Sequence, residues 1–275
     1  MRAIRSAWRL LHFVLTLAWF AVGFALRPAK STADGAERIH RFCARSLHAL
    51  GVAWSATGEP LAAGAVVSNH LSYIDILVFA AAQPFVMVAK SEVSQWPLIG
   101  WFTRQAGTVY VVRGGGPATY PAVNAAMAEA FRSSYPVLFF PEGTTTDGSH
   151  LLPFRRGLLH SVLNESVPLQ AAAVGYSDRN ACWWGDALLV PHLLQLTRMD
   201  GLHAEVHFGE VVSNRRDRFA LAESARDRVA SLSEKLSSGP VSSAHQPELT
   251  EPLEDLFDRP VESVGAFDSH GCVLR

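Results

Sequence analysis

The sequence predicts an α/β layered domain, and three observations predict it. From about Ala62 onward, short apolar runs bounded by Gly, Pro or charged residues alternate with longer stretches of helical period. Two of those runs lead straight into turns that carry reactive side chains, Ser68-Asn69-His70 and Pro141-Glu142-Gly143, and ligands in α/β folds collect at such strand ends. The chain has 275 residues, 49% of them hydrophobic, which suits one sizeable domain with an appendage.

The elements follow in order. Arg2, Arg5 and Arg9 precede an apolar run from Leu10 to Leu26 that holds His12, Thr16 and Trp19. The run is near the shortest length that spans a bilayer. A signal peptide fits the basic start, but Arg27-Pro28-Ala29-Lys30 offers no small-residue cleavage site. Positive charge at both ends leaves orientation unread, and a buried helix of a soluble protein is the plainer alternative. From Glu37 to Leu50, Ile39, Phe42, Cys43, Leu47 and Leu50 share one helical face, with Arg38, Arg41, Arg45 and His48 around the other and Gly51 as a stop. A basic amphipathic helix suits an anionic membrane surface, and an ordinary surface helix has the same pattern. Together the two segments predict an N-terminal two-helix membrane anchor, residues 1–52.

Residues 53–237 form the predicted catalytic domain. Strands are expected over Ala62 to Val67, Phe85 to Ala89, Gly107 to Val112, Val137 to Phe140, Val167 to Val174 and Ala204 to Val212. Helices are expected over Ile76 to Ala82, Ala122 to Phe131 with Pro121 near its start, Arg155 to Asn164, Ala187 to Leu196, and Asp217 to Leu236 with Asn214 as a cap. Trp96 to Gly100 reads as a bent apolar segment. Residues 238–275, rich in Ser, Pro and acidic groups, read as an acidic, largely disordered tail with room for a short helix near Leu253 to Phe257.

Composition narrows the function. A net charge of −1 gives no field for nucleic acid. Cys43, Cys182 and Cys272 show no pairing pattern, which suits a reducing compartment. The terminal Cys272-Val273-Leu274-Arg275 is a poor prenylation box. No HExxH or CxxC occurs, so no metal site is expected.

The reactive candidates are few. Residues five apart in one helix lie about 140° apart around the axis, so His70 and Asp75 meet only if His70 lies on the turn and Asp75 in the first helical turn. A carboxylate on one imidazole nitrogen fixes the tautomer and strengthens the other as a base, which allows a substrate hydroxyl to attack directly. The plainer alternative is a packed histidine with a surface aspartate. Glu142 either accepts hydrogen bonds from a polyol or fixes its loop, Gly143 lets a substrate approach the backbone, and Thr144, Thr145 and Thr146 offer hydroxyls. Arg113 closes a strand beside three glycines, where a guanidinium suits a phosphate; Lys90, Arg155 and Arg156 add positive charge. Solvated loop residues fit the same positions.

Taken in order, these pieces resemble the glycerolipid acyltransferase family, the group that includes 1-acyl-glycerol-3-phosphate acyltransferases. The first motif, NHxSxxD, is similar to Asn69-His70-Leu71-Ser72-Tyr73-Ile74-Asp75. The second resembles Lys90-Ser91-Glu92 through Trp96-Pro97-Leu98-Ile99-Gly100 to Gly107-Thr108-Val109-Tyr110-Val111-Val112-Arg113, the third Phe140-Pro141-Glu142-Gly143-Thr144, and the fourth Val167-Pro168-Leu169. The resemblance covers roughly Ala62 to Val212. It departs from many phosphatidate-forming members at Thr145-Thr146, where they have Arg-Ser; the Thr-Thr form resembles the branch that acylates lyso-ornithine lipid and other lysolipids.

The resemblance implies a central mixed sheet flanked by helices. It also implies transfer of a fatty acyl group from a thioester to a lysolipid hydroxyl, with 1-acyl-sn-glycerol-3-phosphate as acceptor and lyso-ornithine lipid or another lysophospholipid as the alternative. His70 and Asp75 are then catalytic. Arg113, Glu142, Gly143 and Thr144 hold the acceptor, Lys90 assists, and Pro168 shapes the wall near the acyl chain. No cofactor is implied; acyl-CoA or acyl carrier protein is the co-substrate. Acceptor and product are bilayer lipids, so a membrane location is expected, with the catalytic domain on the cytoplasmic side. A silent lipid-binding protein of the same fold and a metal-dependent hydrolase are the competing readings.

Overall fold

The strand that leads to His70 lies in the middle of the sheet. The computed structural model describes residues 1–112 and 119–238. Within them the strands are β1 (Ala53–Thr57), β2 (Ala65–Val67), β3 (Val86–Lys90), β4 (Val109–Val111), β5 (Val137–Phe139), β6 (Leu169–Tyr176) and β7 (His203–Val211). Their order across the sheet is β1-β7-β6-β2-β5-β3-β4. Every neighbouring pair is parallel except β6 with β7, so the sheet is mixed, as expected.

Side chains alternate between the two faces with the period of two that a strand imposes. Val66, Leu138, Ala172 and Val174 enter one core cluster, and Ala65, Val67, Val137, Phe139, Ala171 and Ala173 enter the other. Helices cover both faces, so the central strands read as continuous apolar runs. The first cluster is completed by α1 (Arg2–Leu26), α2 (Thr32–Leu50), α3 (Ile74–Ala82), α4 (Ile99–Gln105) and α7 (Leu189–Arg198). The second is completed by α5 (Tyr120–Phe131), α6 (Gly157–Asn164) and α8 (Arg218–Ser238). Phe79 of α3 is fully buried against Phe85 and Phe208; burying one such ring stabilises by about 1.5–3 kcal/mol.

Three sequence expectations needed adjusting. β1 and α4 were not foreseen. The helix expected from Glu37 begins at Thr32, where the Ser31 hydroxyl caps the Asp34 amide at 3.1 Å. The cap of α8 is Asp217, whose carboxylate accepts from the amides of Phe219 and Ala220, and not Asn214. The expected stop at Gly51 is present: its φ is 73°, and the amides of Gly51 and Val52 close onto the carbonyls of His48 and Leu47. Arg113 and the tail from residue 239 lie outside the described residues.

Helix α1 has the length and composition to cross a membrane, but it lies along the body, held at both ends. Near its start the hydroxyls of Ser6 and Thr197 meet at 2.7 Å, Arg9 donates to the Met199 carbonyl at 2.7 Å, and Arg2 and Arg5 pair with Asp200. Near its end Phe20 and Phe24 are buried, and Arg38 donates to the Arg27 carbonyl. The opposite face carries Ile4, Trp8, Leu11, Leu15, Trp19, Val22 and Leu26, all exposed at helical spacing. Helix α2 is built into the body instead. Ile39, Cys43, Leu47 and Leu50 belong to the core, buried Arg38 pairs with Asp34 at 2.9 Å, and His40 Nδ1–H donates to the Ala80 carbonyl of α3 at 2.6 Å.

Candidate active site

Where β2 ends, the chain turns sharply into α3, and Asp75 organises that turn. It is the second residue of α3, and its carboxylate is fully buried. Oδ2 accepts from the amides of Leu71 at 2.7 Å and Ser72 at 3.0 Å, and from His70 Nδ1 at 2.7 Å. His70 is therefore on the turn and Asp75 in the first helical turn, the one arrangement in which the pair can meet. With Nδ1–H held by the carboxylate, Nε2 presents its lone pair. It has no partner among the described residues, and the side chain is 16% exposed. The ring lies flat on Phe140 at 4.0 Å with 9° between planes, which fixes its swing.

The turn is held from three further sides. Asn69 imitates a ladder partner: its amide group donates to the Val174 carbonyl and accepts from the Val174 amide, each at 2.9 Å, which fixes the turn to β6. The loop after β5 takes both polar backbone groups of His70. Glu142 Oε1 accepts from the His70 amide at 2.7 Å, and the Thr146 amide donates to the His70 carbonyl at 2.9 Å. Glu142 Oε2 accepts from the Leu152 amide at 2.9 Å. Burial pushes the Glu142 carboxyl above its ordinary value, opposed by those two amides. Of the two roles open to Glu142 in the sequence, this geometry supplies the fixing of the loop; the residue is 2% exposed, with each oxygen on a backbone amide.

The remaining predicted residues scatter. Gly143 has φ 77°, which favours glycine, and a Cβ there would fall 2.6 Å from Nε of Arg155 and push that flexible side chain aside. Arg155 thus crosses the loop beside the turn that carries His70. Thr144 is exposed on the same loop, and Lys90 is exposed at the end of β3. Pro168 lies at the far end of the neighbouring strands from His70. It stands just before β6, where its carbonyl accepts from the Ala65 amide at the start of β2. His70 follows the other end of β2, so Pro168 is not beside the dyad.

One contact was not foreseen. Tyr176, the last residue of β6, donates its hydroxyl to Asp75 Oδ1, the oxygen that His70 leaves free. Its only sequence signal is an aromatic with a polar tip at a strand end. Among the described residues no group of three or more His, Cys, Asp or Glu could hold a metal.

The family model described as acyltransferase matches residues 58–175. A lyso-ornithine lipid O-acyltransferase of Pseudomonas aeruginosa is 34% identical over 199 residues, 70% of this chain and 74% of the relative. One of Rhodobacter capsulatus is 36% identical over 158 residues, 54% of this chain; the match spans 56% of that relative's length. A 1-acyl-sn-glycerol-3-phosphate acyltransferase of Neisseria gonorrhoeae is 30% identical over 174 residues, 61% of this chain and 68% of the relative. The crystal structure of the 1-acyl-sn-glycerophosphate acyltransferase PlsC from Thermotoga maritima shares the fold, with TM-score 0.63 and 20% identity over 88% of this chain and 100% of that one.

Proposed function

The chain belongs to the acyltransferase family, and on that premise we propose that it moves a fatty acyl group from a thioester to the free hydroxyl of a lysolipid. The observation that carries this reading is the 2.7 Å contact between His70 Nδ1 and the buried Asp75 carboxylate, with Nε2 unpartnered among the described residues. Nε2 takes the proton of the acceptor hydroxyl as its oxygen bonds to the thioester carbonyl carbon. The oxyanion so formed collapses, the carbon–sulfur bond breaks, and Nε2 returns the proton to the departing thiolate. The products are the new ester and the free thiol of CoA or acyl carrier protein. Glu142 serves as the brace of the His70 backbone, while Arg113, Thr144 and Lys90 remain the groups offered to the acceptor, with Gly143 leaving room beside them.

Two acceptors compete. Lyso-ornithine lipid is favoured by Thr145-Thr146 and by the 34–36% identity of the relatives named for it. The second is 1-acyl-sn-glycerol-3-phosphate, the acceptor of the relative at 30% identity. A panel of purified lysolipids with one labelled acyl-CoA, read by product mass, tests both. We expect the largest kcat/KM for lyso-ornithine lipid; no transfer to any member of the panel rejects the reading.

The proposed location is the cell membrane, with the catalytic domain on the cytoplasmic side. Full extraction of an acceptor costs about 0.8 kcal/mol for each buried CH₂, and a protein lying in the interface avoids it. The apolar outer face of α1, about 37 Å long, is the surface suited to that, lying in the plane of the membrane. Replacing Trp8 and Trp19, both exposed, by Asp should reduce binding to vesicles about tenfold or more. Sedimentation with vesicles of bacterial lipid measures this; unchanged binding removes α1 as the anchor.

A further inference from the structure

Asp75 has two carboxylate oxygens, and the mechanism above uses one. Oδ2 faces His70 and the turn amides; Oδ1 receives the hydroxyl of Tyr176, 101 residues later in the chain. The contact is built by the sheet. β6 runs parallel to β2 with Ala65 opposite Leu169, so both strands run toward the same edge. β2 stops opposite Ala171, and β6 runs on past it beside the turn, so that its last side chain reaches Asp75. The antiparallel ladder to β7, with Tyr176 opposite Ala204, holds that side chain in place.

Chemistry fixes the direction of the bond. Burial, reinforced by the Asp75 charge, pushes the Tyr176 phenol well above its ordinary value, so the phenol keeps its proton and donates. A hydrogen bond to a carboxylate is among the stronger ones in a protein. It orients the carboxylate plane, and it draws negative charge away from the oxygen facing the imidazole.

We propose that Tyr176 is a positioning residue for the dyad: its hydroxyl holds the Asp75 carboxylate in register with His70 and tempers its charge, and so sets how firmly the imidazole keeps a proton. The role rests on the acyl-transfer reading for its effect on rate, though not for its effect on the imidazole. The other titratable groups around the pair are few. Glu142 approaches from the loop after β5 through the His70 amide, with Arg155 across Gly143. Tyr73 stands within the turn, its phenol raised by burial. Cys182, whose thiol burial pushes up to about 11, lies near Asp75 with Arg179 and Asp147 acting on it. None of them bonds to Oδ1.

The sign follows from the charge. Without the phenol, the carboxylate keeps the amides of Leu71 and Ser72 but shows more charge to the ring. The imidazolium form is then favoured, and the neutral base appears only at higher pH. In Tyr176→Phe we expect the acid limb of kcat/KM to rise by about half a pH unit. We also expect kcat to fall about tenfold, with the acceptor KM within about twofold of wild type. Placing 3-fluorotyrosine at position 176 by amber suppression gives a stronger donor, and the acid limb should fall instead.

Opposite shifts from removing and strengthening one hydroxyl are not produced by packing alone. A second readout needs no substrate: the ¹⁵N imidazole titration of His70, assigned by its loss in His70→Asn, should move in the same directions. Should Tyr176→Phe not fold, the fluorotyrosine protein carries the test. An imidazole titration unchanged in the variant that folds overturns the proposal. If the wild type acylates no lysolipid, the acyl-transfer reading fails by itself, and the imidazole titration still decides the role of Tyr176.

Discussion

His70→Ala should lower acyl transfer about a thousandfold and leave the fold standing. A general base contributes about 10²–10⁴ to rate, and among the described residues no second imidazole bonds to Asp75 to replace it. The fold survives because the ring is not what holds the turn. Asp75 keeps the amides of Leu71 and Ser72 and the hydroxyl of Tyr176, so the buried carboxylate stays satisfied. The backbone bonds of residue 70 to Glu142 and Thr146 do not depend on its side chain. Thiol release from acyl-CoA measures the first effect and thermal melting the second. Turnover within about tenfold of wild type would remove the dyad from the mechanism.

Glu142→Ala should have the next largest effect, with a pattern that separates a brace from an acceptor ligand. The substitution strips the amides of His70 and Leu152 of their acceptor at once. An orphaned buried amide costs about 1–3 kcal/mol, so the variant should lose about 2–4 kcal/mol in chemical denaturation. The catalytic turn then loosens, and kcat falls about a hundredfold because the base is no longer held where the hydroxyl arrives. The acceptor KM should change by less than about threefold. A carboxylate that gripped the acceptor would give the reverse, a raised KM with kcat little altered. Steady-state kinetics over a range of acceptor concentration distinguishes the two.

Local chemistry was readable and long-range pairing was not. The turn at His70 was legible because its constraint is confined to six residues: the helical period forbids the His–Asp contact unless the histidine precedes the helix. The central strands were legible because cover on both faces makes them unbroken apolar runs. The edge strand β1, Ala53–Thr57, has no such run and is recognisable only through its pairing with β7. Glu142 stayed ambiguous because its partner amide is 72 residues away, at a distance no pattern records. The place of Pro168, at the end of β6 away from His70, follows from the register of β2 against β6, which no local pattern records. Tyr176 had no motif to announce it, since its partner lies across the sheet.

The start of α1 has a partner that is made very late. Ser6 meets Thr197, 191 residues later in the chain, and Arg5 pairs with Asp200. The inner face of the helix meets α2 soon after it is made, through Phe20 on Phe42, but its outer apolar face stays bare and its start waits for α7. We expect the nascent chain to reach the lipid surface before the body has folded. Ribosome-bound chains arrested before Thr197 should already cosediment with membranes.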